Sequence, residues 1–200
     1  MHRGFLPDLS EAISSLQKAV EIASERNKTD IRIPTFLNNL ANTFQIRFRR
    51  YKDPDDVSVA ISSQERAVNF TPPSTLDHRE SLLNNLGLFL LDRFKTNKDP
   101  KDIFDAISSF REAIRLTHSN ATGLPVWQSN LSKALHQHFE STGNLEDLSE
   151  AFKLQEEAIR LTLESHPSWS QRNYNLGLLC EALYESTNDV KDILYAMLLR

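Results

Sequence analysis

A tetrapeptide that keeps coming back constrains this chain more than any other feature. Ala12-Ile13-Ser14-Ser15 returns as Ala60-Ile61-Ser62-Ser63 and Ala106-Ile107-Ser108-Ser109, then more loosely as Ala151-Phe152 and Ala196-Met197, so the five alanines stand 48, 46, 45 and 45 residues apart. Seven residues after each of the first four stands a second alanine, Ala19, Ala67, Ala113 or Ala158, followed by Val or Ile. Alanines two helical turns apart share one helix face and let a neighbouring helix approach closely. A fixed period of this length means one supersecondary unit repeated along the chain, each copy burying its apolar face against the next.

The same segments carry a start signal. Asp53, Asp99, Asn144 and Asp189 each lie three residues before Asp56, Asp102, Asp147 and Asp192. An Asx side chain caps the first free amides, and a second acid favours the positive helix end. Pro54 and Pro100 take the first helical position, where a missing N–H costs nothing. The pattern predicts helices near 8–26, 54–70, 100–117 and 145–164 and a fifth from about 190, with Phe5 at the cap position of an atypical first copy.

A second set of helices alternates with these, marked by Leu37-Asn38-Asn39-Leu40, Leu83-Asn84-Asn85-Leu86, Ser129-Asn130-Leu131 and Tyr174-Asn175-Leu176. A small residue follows each closing leucine (Ala41, Gly87, Ser132, Gly177), and an aromatic follows eight positions after the leucine (Phe48, Phe94, Phe139, Tyr184). From that leucine to the next alanine is 20 residues in every copy, whereas the return to the next leucine varies between 18 and 21. The helix pair is therefore the rigid unit and the return loop the variable one. The expected fold is all-α: a right-handed solenoid of antiparallel helix pairs near 30–70, 74–117, 124–165 and 168–200, in one array over 1–200, after a lone helix at 8–27.

A helix with Leu-small and an aromatic, followed by a helix with two alanines seven apart and a closing Thr, resembles the tetratricopeptide repeat over nearly the whole chain. Leu86-Gly87 is similar to the Leu-Gly pair of that family, Ala106 and Ala113 to its second-helix alanines, and Leu176-Gly177 with Ala196 likewise. The spacing departs from it, since the usual unit has about 34 residues. Longer helices and the Leu-Asn-Asn-Leu wording resemble the extended repeats of kinesin light chains, and the arrays of fungal proteins that carry a CHAT-type protease domain downstream. The resemblance implies protein binding, with the first helices of each pair lining a concave groove. The unpaired first helix, and an end within another, lead us to expect a segment of a longer chain or self-association through uncapped ends, with Ile193, Met197 and Leu198 exposed at the last.

Composition narrows the function classes. A net charge of −4 supplies no broad basic field, so neither nucleic acid nor an anionic membrane surface is an expected partner. The basic cluster Arg47, Arg49, Arg50 and Lys52 sits at a predicted helix C-terminus, where the helix dipole favours cations. No apolar run approaches the roughly 20 residues of a membrane span. A single cysteine, Cys180, forbids an intrachain disulfide and fits a reducing, cytoplasmic or nuclear setting, of which the cytoplasmic is the one expected. It holds a position taken by Phe44, Leu90 and Leu135 elsewhere, which marks it as core. His136 and His138 lie about 200° apart around one helix and cannot chelate one metal, which leaves a surface or groove role. No enzyme, metal or cofactor is expected.

Asparagine is the exception to this plain scaffold. Asn39, Asn85, Asn130 and Asn175 occupy one register position in four first-type helices, and Asn is a weak helix former. The resemblance implies that this position contacts the main chain of a bound peptide. An amide offers donor and acceptor alike, so a column of them could grip an extended backbone or, equally, stitch adjacent helices. Thr35, Asn38, Asn42, Asn84, Leu88, Lys133, Tyr174 and Leu178 fall on the same general face, polar and nearly uncharged. With Lys133 its only clear cation, the expected ligand is an internal peptide segment or a helix and not a terminal carboxylate.

Overall fold

The computed structural model describes residues 5–71, 78–118 and 121–188, with the side chains of residues 5–8 left aside. They form eight α-helices: α1 (Phe5–Arg26), α2 (Ile33–Tyr51), α3 (Pro54–Phe70), α4 (Arg79–Asn97), α5 (Pro100–Leu116), α6 (Leu124–Thr142), α7 (Leu145–Arg160) and α8 (Trp169–Thr187). No strand occurs among the described residues. The helix expected from about 190, with Asp189, Asp192, Ala196 and the apolar face of Ile193, Met197 and Leu198, lies outside them.

Two compact units divide the chain, residues 1–102 and 103–200, the boundary falling in the first turn of α5. In the first, α1 packs on α2, α2 on α3 and α3 on α4; in the second, α6 packs on α7 and α7 on α8. Tight turns such as Lys52-Asp53 reverse the chain within a pair, so paired helices run antiparallel. The fold class is the all-α repeat solenoid that the period predicts.

Local signals set the helix ends. Asp53 Oδ1 accepts from the Asp55 amide at 3.0 Å, Asp99 Oδ1 from Lys101 at 2.9 Å, and Asn144 Oδ1 from Glu146 at 3.1 Å. First-type helices start without a side-chain cap but all four end on a left-handed residue, Lys52, Lys98, Gly143 or Asn188, whose N–H bonds the carbonyl of Phe48, Phe94, Phe139 or Tyr184. That residue satisfies an otherwise orphaned carbonyl and turns the chain. α7 stops at Arg160, short of the expected 164, because Leu161 caps it and the Thr162 hydroxyl bonds back to Ala158 O.

The alanine stripe is the core of each pair. Ala60, Ala67, Ala106, Ala113, Ala151 and Ala158 are all fully buried, whereas Ala12 and Ala19 in α1 are half-buried and leave the packing to Leu9, Ile13, Val20 and Ala23. Cys180 is buried as the register requires.

Candidate interaction surface

Each first-type helix turns one stripe away from the core. On α2 it runs through Thr35, Asn39, Asn42, Thr43 and Ile46, and on α4 through Ser81, Asn85, Leu88 and Asp92, all exposed or half-buried. The stripe is polar with isolated aliphatic positions, and Ile46 is 51% exposed. In the second unit Lys133 on α6 is exposed, and on α8 Tyr174 is 63% and Leu178 37% exposed. Trp169, Asn173, Tyr174, Gly177 and Leu178 line a recess of about 270 Å³ there.

The asparagine column is uneven. Asn39 is exposed, Asn85 and Asn175 are half-buried, and Asn130 is buried; of the neighbouring candidates, Asn84 is buried while Asn38 and Asn42 are half-buried. In the first unit the structure brings Asn38 and Asn85 together: Asn85 Nδ2 donates to Asn38 Oδ1 at 3.0 Å, and Gln64 Nε2 reaches the same oxygen at 3.2 Å. Asn38 thus joins α2, α3 and α4. On α8, Asn175 Oδ1 accepts from Gln171 Nε2 at 3.1 Å, while its own Nδ2 is buried without a hydrogen-bond partner.

Two further sets of contacts hold this surface, and neither was among the expected site residues. Gln64 and Gln155 stand four residues after Ala60 and Ala151, fully buried, and each donates Nε2 to a main-chain carbonyl of the next first-type helix, Leu82 O or Arg172 O, at 2.9 Å. These two acceptors share a register position, so the glutamine is a repeated stitch. Its trace in the sequence is a polar residue inside an apolar stripe.

The other set is a latch within each pair. Arg47 Nε and Nη2 meet the Asp56 carboxylate at 2.8 and 2.5 Å, and Arg93 meets Asp102 at the same two distances. His138 Nδ1 lies 2.7 Å from Asp147 Oδ2 in the third copy. The cation comes seven residues after the marker leucine, and the acid nine residues later is the second of the cap pair. The carboxylates hold both guanidinium groups above their ordinary pKa through these hydrogen bonds. This corrects the surface or groove role expected for His138: its side chain is 12% exposed, and Phe104 sits edge-on 4.9 Å from its ring. In the basic cluster, Arg47 and Arg49 act through carboxylates, Arg49 pairing with Asp92 at 2.8 Å, instead of through the helix dipole alone.

Arginines also close second-type helices. Arg79 Nη1 donates to Val68 O and Thr71 O, and Arg172 Nη1 to the Thr162 hydroxyl at 2.6 Å, so each cation sits at the negative end of the preceding helix. Burial pulls the Arg172 guanidinium below its ordinary range. Among the described residues no group of His, Cys, Asp and Glu could hold a metal ion, and no helix is long and apolar enough to cross a membrane.

A Podospora anserina protein described as a kinesin light chain with nearly identical TPR-like repeats superimposes with a TM-score of 0.66 at 16% identity, over 96% of this chain and 84% of that one. The fold is that of TPR-like helical repeats. MamA matches with a TM-score of 0.54 at 18% identity, over 97% of this chain and 94% of that one. BtubC (BKLC) from P. vanneervenii matches at 0.53 and 18%, over 94% and 87%. No family model matches the sequence, and no curated protein matches it. The tetratricopeptide resemblance therefore stands at the level of the fold.

Proposed function

We propose that this chain is a protein-interaction scaffold that takes a peptide or helix of another protein on the outward stripe of its first-type helices. The observation that carries this reading is the accessible amide and hydroxyl surface of α2, with Thr35, Asn39, Asn42 and Thr43 at helical spacing around a solvent-facing Ile46. Such groups can satisfy a partner's main chain while asking little of its sequence. A reaction needs a nucleophile or acid–base pair set in a cleft, and among the described residues the titratable pairs with a buried or nearly buried acid, Arg47–Asp56, Arg93–Asp102 and His138–Asp147, are latches between helices. The TPR-like fold supports the same reading, because stacked helix pairs present long surfaces.

A second reading, in which the repeats serve as a structural or regulatory arm of a larger protein, is favoured by the Asn85–Asn38 bond, since an amide engaged between helices is not offered to a ligand. Asn39 and Asn85 separate the two. Capture with the intact chain, followed by crosslink mapping of the bound segment, is expected to show crosslinks along α2 that Asn39→Ala with Asn42→Ala abolishes while the melting temperature holds. Retention of the same segment by that variant overturns the binding reading.

A further inference from the structure

In the first unit the main helix contacts run from α1 to α2, α2 to α3 and α3 to α4, yet polar side chains carry α2 directly to α4 at two places. At one, Asn38 Oδ1 of α2 accepts from Asn85 Nδ2 of α4 at 3.0 Å. At the other, Asp92 Oδ2 of α4 accepts from Gln45 Nε2 at 2.7 Å and Arg49 Nε at 2.8 Å, both on α2. Asn38 precedes Gln45 by seven residues and Asn85 precedes Asp92 by seven, so the ties stand two turns, or about 10 Å, apart along both helices.

The two ends differ in how firmly they hold. At the amide end Gln64 of α3, fully buried, also donates to Asn38 Oδ1 at 3.2 Å and to Leu82 O at 2.9 Å, so three helices meet in one network. The carboxylate end draws its donors from α2 and α4, with Lys95 Nζ 3.5 Å from the second oxygen. It opens to solvent, the side chains of Arg49 and Lys95 being 56% and 51% exposed and that of Asp92 19%. Ion pairs this exposed are weak and screened by salt. Gln45 beside them is buried, with Oε1 lacking a hydrogen-bond partner, so loss of Asp92 leaves the whole amide unsatisfied unless the helices part and admit water. The second unit is built without the ionic tie: Ala182 stands at the Asp92 position of α8, and His136 and Glu140 at the Gln45 and Arg49 positions of α6.

We propose that the two ties form a hinged clamp on the stripe of first-type helices, with Asp92 as its release point. When that carboxylate lets go, the C-terminal halves of α2 and α4 part about the Asn38–Asn85 end as a pivot. On the reading of this stripe as the partner-binding face, its Ile46 end adjusts to a partner while its Asn39 end stays fixed.

The test measures distances between spin labels on the whole chain, one cysteine pair at Thr35 and Ser81 near the pivot and another at Arg50 and Thr96 near the release point. Cys180 is buried and out of reach of the label. Asp92→Ala is expected to lengthen the 50–96 distance by about 2 Å or more, the scale of helix shifts between packed states, and to broaden it, with the 35–81 distance unchanged. Asp92→Asn keeps an acceptor for Gln45 but no charge for Arg49 and Lys95, and is expected to give a smaller lengthening. It decides the matter if Asp92→Ala melts too low to measure. Asn38→Ala is expected to lengthen the 35–81 distance. An unchanged 50–96 distance in the Asp92 variants overturns the proposal, as does an equal lengthening of both distances, which is general loosening and not a hinge. The distances are read on the free chain, so the clamp is judged separately from whether the stripe binds a peptide.

Discussion

The two compact units solve the same mechanical problem with different side chains. In the first, the latch between helices of a pair is an arginine on a buried aspartate, Arg47 on Asp56 and Arg93 on Asp102, and the left-handed residue that turns the chain is a lysine, Lys52 or Lys98. In the second, the latch is His138 on Asp147 and the turn residue is Gly143 or Asn188. Register and backbone geometry are the same, so in these three pairs a donor meets an acid without a given residue being required, while the left-handed turn recurs also after α8. The first unit adds charge and accepts strain: lysines at positive φ carry a steric cost, partly offset where Lys52 Nζ and Lys98 Nζ lie 5.4 and 5.2 Å from the rings of Phe48 and Phe94.

The largest expected effect breaks this comparison at the latch. Asp102 is 1% exposed, so Asp102→Ala strands a guanidinium and should cost about 3 kcal/mol, the lower end of the range for one partner of a buried pair because Arg93 keeps some solvent. Asp147→Ala removes a single hydrogen bond to a His138 ring nitrogen and should cost about 1–2 kcal/mol. Equal losses in urea titrations would mean that the two latches are equivalent. Next comes packing. Ala113→Leu, at a fully buried site, should overpack the second unit and cost about 1–3 kcal/mol, while Ala19→Leu, at the half-buried equivalent on α1, should shift the thermal midpoint far less.

The turns give the smaller effects. Gly143 has φ +71°, and a methyl group in place of its hydrogen would meet nothing within 4 Å, so Gly143→Ala isolates backbone strain and should lose about 1–2 kcal/mol. Lys98→Gly relieves the same strain in the first unit but gives up the ring contact and frees the unfolded chain, for a net gain of about 0.5 kcal/mol by calorimetry. A loss there would show that the lysine–phenylalanine contact outweighs the strain.

Much of this architecture is legible in the sequence because it rests on local chemistry. The spacing of Asp53, Asp99 and Asn144 before their helices predicts caps that form, and the paired alanines predict the sites of closest helix approach, since both depend only on the 3.6-residue turn. The small residue after each marker leucine likewise falls inside, with Ala41, Gly87, Ser132 and Gly177 all buried.

The candidate surface was legible only in outline. The register places Asn39 and Asn85 as equivalents, yet one faces solvent and the other bonds to Asn38, because the neighbour that a half-buried amide meets depends on the separation and rotation of two helices. The second acid of each cap reads as a dipole partner until α2 and α4 lay Arg47 and Arg93 beside it. Gln64 and Gln155 are polar residues within an apolar stripe, and only the next helix, which sets a carbonyl over each, gives them a partner. Period, the capped starts of the second-type helices and the small-residue stripe belong to the sequence alone, since a helix imposes its own periodicity. Tertiary structure decided the pairing of polar groups across helices, since a contact between residues 9 to 47 apart exists only once the helices are packed.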